Sequence, residues 1–184
     1  RVKKNKIIKI KRSNRFRDRI IIRLDNKSVF RVPEDVFALK PLHVGDKITA
    51  DDINYYDDKM RVQEVKDAAF RLLSFRMRSI SEMKRRLKQK SFKDVEINQV
   101  VNELIKLDLL NDATFAKMFI SEKIKNKKIG PRALRSELFP HHLSSDLINR
   151  LIDKAYKKND INELISFHLN RKKINKSIQL NKKE

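Results

Sequence analysis

Cysteine and tryptophan are absent from this chain, and in 184 residues it holds only two glycines and four prolines. Without cysteine there are no disulfides, no thiolate zinc sites and no cysteine nucleophile. That composition fits a reducing compartment. So few glycines and prolines exclude a sandwich of many tight turns and a glycine-rich phosphate loop. Long apolar runs are missing too, so no segment reads as a membrane span or a signal sequence. The run Ile20-Ile21-Ile22 is short and flanked by Arg19 and Arg23. It reads as a strand, and the expected location is cytoplasmic with no membrane partner. The chain opens at Arg1 rather than Met, so a natural start upstream is an expectation.

Acidic residues are the scarcer sign, 24 against 45 Lys and Arg, for a formal charge of +21. Such an excess favours a polyanionic partner. An A+T-rich genome, visible in the abundance of Lys, Ile and Asn, also inflates lysine. Hydrophobic content of 40% with 38% charged residues supports thin cores and a large surface.

Residues 1–56 read as a small β-rich basic module. Ile7–Ile10, Arg19–Leu24 and Ser28–Val32 are β-branched runs. Asp25-Asn26-Lys27 is a hairpin turn, Pro33 opens a short helix through Leu39, and Val44-Gly45-Asp46 makes another turn. Through Arg31, thirteen Lys and Arg face only Asp18 and Asp25. Asp51/Asp52 and Asp57/Asp58 read as a linker that caps the next helix rather than as a metal site.

From Val62 the period becomes helical, and a three-helix unit occurs twice. The assigned spans are 57–110 and 111–158, with a partial third copy and basic tail over 159–184. Met83, Leu87, Phe92, Ile97, Val100 and Val101 match Leu134, Leu138, Leu143, Ile148, Leu151 and Ile152 at one constant offset. Ser79-Ile80-Ser81-Glu82 has capping-box spacing, Asp94 caps the next helix, and Asn111-Asp112 starts the second copy. Gly130-Pro131 opens its middle helix, and Ser144 or Ser145 caps the helix after it. Ile161, Leu164, Ile165 and Leu169 begin the third copy, which stops without a second or third helix. The predicted fold is mainly α: tandem three-helix repeats in an elongated array behind the β module.

Repeated basic helices predict a binding surface rather than a catalytic pocket. Lys84, Arg85 and Lys88 lie opposite Met83 and Leu87 on a helical wheel, flanked by Arg86. Arg76 and Arg78 occupy the joint before that helix. Lys123, Lys125, Lys127 and Lys128 precede the equivalent joint, and Arg132 and Arg135 follow it. A solvated charged face, or lysines complementing helix dipoles, explains part of the pattern equally well. His141-His142 face different ways and lack a third ligand, so they read as structural. No Ser/His/Asp grouping or catalytic carboxylate pair stands out, and neither enzyme activity nor a cofactor is expected.

These motifs resemble a known family. Ala69–Leu73, Arg76–Met83 and Arg86-Leu87 resemble the first repeat of RecX-type regulators. Leu109–Asp112 with Phe115-Ala116 resembles the junction into their second repeat, and Gly130–Leu134 with Glu137-Leu138 its middle helix. The front, with Val32–Val36 and Val44–Asp46, is similar to an extension on some members. The resemblance implies a modulator, chiefly an inhibitor, that lies in the groove of the RecA–DNA filament and binds single- and double-stranded DNA; the elongated array itself is expected to be a monomer. Phe139-Pro140-His141-His142 departs from the usual basic, glycine-containing ending. Two other readings stay open. One is an independent helical DNA- or RNA-binding protein such as a transcription regulator; the other is a scaffold for acidic proteins.

Overall fold

The computed structural model describes residues 4–158 and 161–172. Lys173, Lys182 and Lys183 of the expected basic tail, and Asn159-Asp160 before the third copy, lie outside the described residues.

Four strands form one antiparallel sheet in the order β3-β2-β1-β4, from β1 (Asn5–Arg12), β2 (Arg19–Leu24), β3 (Val29–Pro33) and the two-residue β4 (Lys47–Ile48). Alternation along β2 and β3 sends Ile20, Ile22, Leu24, Phe30 and Val32 into a core with Ile7, Ile48 and Tyr56. The β2–β3 hairpin closes at Asp25-Asn26-Lys27, where Lys27 is left-handed at φ 68° and Asn26 Oδ1 accepts the Ser28 N–H at 3.0 Å. Gly45, at φ 103°, turns the chain so that its N–H meets the Ile7 carbonyl at 2.8 Å. A side chain there would be strained. The short helix α1 (Glu34–Leu39) follows β3 directly.

The helical part differs from expectation first at its start. Helix α2 runs Ala50–Phe75, so the boundary expected at residues 56/57 falls inside it. Thr49 and Asp52 make a reciprocal cap: Thr49 Oγ1 accepts the Asp52 N–H at 3.2 Å, and Asp52 accepts the Thr49 N–H at 3.0 Å. Bonds from Thr49 hold the Asp52 pKa down. Asp57 and Asp58 are not a cap but sit in the body of the helix, Asp58 paired with Arg61. Fully buried Tyr56 carries α2 into the core of the sheet, and Val65 and Ala69 continue its buried stripe.

Helices α3 (Ile80–Lys88), α4 (Asp94–Lys106), α5 (Asp112–Lys127), α6 (Pro131–Leu138), α7 (Ser145–Lys158) and α8 (Ile161–Arg171) follow. The constant offset maps α3 onto α6 and α4 onto α7. Met83, Leu87, Leu134 and Leu138 are all fully buried, as are Val101 and, at 1%, Ile152. Ser144 Oγ accepts the Leu147 N–H and caps α7. At α4, however, the reach-back comes from Glu96 to the Lys93 N–H at 3.0 Å, while Asp94 pairs with Lys88. Leu107 lies past the end of α4 and is exposed, and in α8 Leu164 is buried whereas Ile165 and Leu169 face outward.

Two compact units result: Arg1–Phe75 with Lys84–Glu103, and Arg76–Met83 with Leu104–Glu184. The second has its own core of Ala116, Ile120, Ile124, Leu134, Leu138, Leu151, Ile152, Tyr156 and Leu164. Among the described residues no helix is long and apolar enough to cross a membrane.

Candidate nucleic-acid interface

Helix α3 presents its cations as the wheel predicts. Lys84, Arg85, Arg86 and Lys88 are exposed on a helix whose Met83 and Leu87 are sealed. Lys88 shares a 3.0 Å ion pair with Asp94, and Arg86 reaches the Gln89 amide at 3.5 Å. Among the described residues Lys84 and Arg85 have no acidic partner, so both are available to an anion.

The joint before α3 is arranged differently. Arg78 is buried, and its guanidinium meets Glu82, itself only 3% exposed. Arg76 binds the same carboxylate at 2.6 and 3.1 Å while remaining half-exposed. Burial opposes ionisation of Glu82, but the bonds and charges of Arg76 and Arg78 outweigh it and hold the pKa below the usual value. Arg78 is therefore committed to holding the joint, and Arg76 keeps only its outer edge for solvent. Ser79 Oγ accepts the Glu82 N–H at 3.1 Å, the expected half of the capping box. Glu82 turns its carboxylate to the two guanidinium groups. A further acceptor arrives from α5, where Asp112 takes the Ile80 N–H at 2.8 Å. Burial raises the Asp112 pKa, with the Ile80 bond and the nearby His141 opposing it. His141 packs on Phe115 and Phe119, ring centroids 4.8 and 5.3 Å away, whereas His142 is left-handed and exposed. The two histidines do face different ways.

In the second repeat the basic cluster divides. Lys123 and Lys127 both pair with Glu137 of α6. The Lys123 bond is the main cause that raises its own pKa and lowers that of Glu137. Lys123 also lies over the Phe119 ring at 4.8 Å, so its ammonium braces α5 against α6. Arg135 Nε donates to Asn149 Oδ1 at 3.1 Å; Arg132 is exposed. Lys125 and Lys128 instead border a hollow of about 650 Å³ beside α5 and α7, floored by Ile120, Ile124 and Leu151 and also lined by Lys117 and Lys154. Sequence reasoning passed over Lys117 and Lys154. Their positions beside the buried stripes of α5 and α7 were the available signal.

Comparison with known proteins follows the same division. Residues 66–104 match the RecX first three-helix domain and residues 111–152 the RecX second three-helix domain. Regulatory protein RecX of Listeria monocytogenes is 30% identical over 149 residues, covering 81% of this chain and 55% of the Listeria protein. The chain thus spans about half the length of that relative. Regulatory protein RecX of Caldanaerobacter subterraneus is 27% identical over 176 residues, covering 86% of each chain. A crystal structure of regulatory protein RecX superposes with a TM-score of 0.76 at 22% identity, over 92% of this chain and 84% of that one. RecX from Lactobacillus salivarius gives 0.56 at 20% identity, over 64% and 78%. Those two likenesses are of fold.

Proposed function

The chain belongs to the RecX family, and from that premise we propose that it binds the RecA–DNA filament and lowers recombinase activity, with a sequence-independent DNA affinity of its own. It acts in the cytoplasm as a monomer and without a cofactor. The observation that carries this reading is the exposed face of α3, where Lys84 and Arg85, without an acidic partner among the described residues, project from a helix locked by Met83 and Leu87. This face lies within the first matched domain. A rigid helix presenting cations suits both phosphates and an acidic groove wall, because neither interaction needs the helix to rearrange. Cations of this kind position a protein on DNA without selecting a sequence.

The test is RecA ATP hydrolysis on single-stranded DNA with the protein titrated in. Wild type is expected to depress turnover. The triple variant Lys84→Glu, Arg85→Glu, Lys88→Glu should keep its melting temperature, since exposed changes alter stability by only about 0.5 kcal/mol, yet depress turnover far less. No effect of wild type at any ratio to RecA would refute the proposal.

A further inference from the structure

The outer face of the β-sheet carries cations that no acidic side chain answers among the described residues. Where the inward residues of β1, β2 and β3 fill the core, the alternate residues form two outward rows. Arg23 stands opposite Lys9 on one side and Val29 on the other, and Ile21 stands between Lys11 and Arg31. These six side chains line one shallow hollow of about 180 Å³. A second, of about 280 Å³, shares Lys11, Ile21 and Arg31 and extends to Arg15 and Phe16.

A bulge determines which lysines join this face. The register jumps from Ile7↔Leu24 to Lys9↔Arg23, leaving Ile8 unpaired. Side chains alternate along a strand, so without the extra residue Lys9 and Lys11 would share the side of Ile7, in the core. With it they point outward, in phase with Arg23 and Ile21.

The arrangement is costly for a free protein. Like charges directly opposite one another destabilise a sheet, and Lys9 faces Arg23 in this way. Nearby acids are turned elsewhere, Glu34 to Arg12 and Asp18 toward Arg19. Among the described residues Lys9, Lys11, Arg23 and Arg31 have no ion-pair partner. Lysine-inflating base composition does not account for them, since half the set is arginine.

We propose that this face is a nucleic-acid-binding surface for the phosphate backbone of a single strand. Three strands make a strip about 10 Å wide, hollow along its middle, with Ile21 and Val29 as an apolar floor. One backbone fits such a strip with its phosphates against the four cations. A duplex is broader and convex and meets only the rim. Phe16 adds little as a stacking platform, because the Arg15 and Arg19 guanidiniums lie 5.3 and 4.3 Å from its ring centre. Affinity is therefore electrostatic and indifferent to sequence. The surface lies outside both matched three-helix domains, and the inference does not rest on the recombinase reading.

Anisotropy of labelled oligothymidine with the full chain, in the absence of RecA, tests it. Reversing Lys9, Lys11, Arg23 and Arg31 to Glu should weaken binding by about tenfold or more at low salt. It should also flatten the log–log salt slope by about 0.7 for each phosphate no longer neutralised. Reversing Lys93, Lys106, Arg150 and Lys157 instead supplies the same change in net charge and should cost distinctly less. Affinity for a matched duplex should fall less than for the single strand. Equal losses in the two variants, or an unchanged affinity in the first, overturn the proposal; an equal loss on duplex overturns the single-strand assignment. If the fourfold reversal does not fold, Lys9→Gln with Arg31→Gln decides by the same comparison, since neutralising two exposed cations relieves repulsion.

Discussion

The Asp112 carboxylate accepts the backbone N–H of Ile80 at 2.8 Å, so the first residue of α5 closes the first turn of α3. The first N–H groups of a helix have no partner within it. In α3 Asp112 supplies one acceptor and Ser79 Oγ another, at the Glu82 N–H. The N-terminal turn of α3 is thereby bonded to the first residue of α5.

Replacing Asp112 by Ala should cost about 1–2 kcal/mol in chemical denaturation, the usual penalty for a missing cap acceptor. Asn keeps an acceptor oxygen and should retain most of that stability. A loss with Asn equal to that with Ala would show that the bond to Ile80 is incidental.

Glu82 and Asp112 should pull acid stability in opposite directions. The folded pKa of Glu82 is lowered below 4.5. Its contribution is therefore complete above 4.5 and is lost as pH falls through the folded value. Asp112 is raised above 3.8, so its ionisation costs stability as pH climbs from 3.8 through the folded value. Glu82→Gln should flatten the acid limb of stability against pH. At neutral pH it should cost on the order of 2 kcal/mol by removing the carboxylate that Arg76 and the buried Arg78 share. Asp112→Asn should compare better with wild type at pH 7 than at pH 3. Unfolding curves across pH 3–7 read both effects.

The repeats were legible because their signals are local. Ser79, Asn111, Gly130-Pro131 and Ser144 announce helix starts through cap chemistry, and apolar residues at one constant offset mark the shared core. The start of α2 was obscured by four aspartates, although Ile53, Tyr56 and Met60 hold helical spacing and Thr49 with Asp52 has capping-box spacing. Arg78 resembled its exposed neighbour Arg76, and only the turn into α3 brings it beside Glu82. The basic sheet face was hidden for another reason. A bulge leaves no local signature, yet it reverses which lysines of β1 face the solvent.

Thr49→Ala should therefore lower stability by about 1 kcal/mol, though Thr49 lies in a segment that reads as a linker. Helix α2 carries Tyr56 into the sheet core, so fraying of its first turn should also expose that ring. Tyrosine fluorescence quenching should rise together with the loss of stability. No change in either would mean that α2 is held by its buried stripe alone.

The two repeats offer separate cationic surfaces, and their contributions should be separable. Lys84 and Arg85 stand on α3, while Lys117, Lys125, Lys128 and Lys154 line the hollow beside α5 and α7. Reversing Lys117, Lys125 and Lys154 to Glu should leave the buried Ile120, Ile124 and Leu151 undisturbed. If both domains engage the filament, this triple and the α3 triple should each weaken the effect on RecA. If the two surfaces act independently, their combination should weaken it by about the product of the two, because independent sites add in free energy. Each phosphate that either surface neutralises independently should contribute about 0.9 to the salt slope for duplex binding. An undiminished effect after reversal of the hollow, with a full loss after reversal of α3, would assign docking to the first repeat alone. The 650 Å³ hollow would then have no part in RecA regulation.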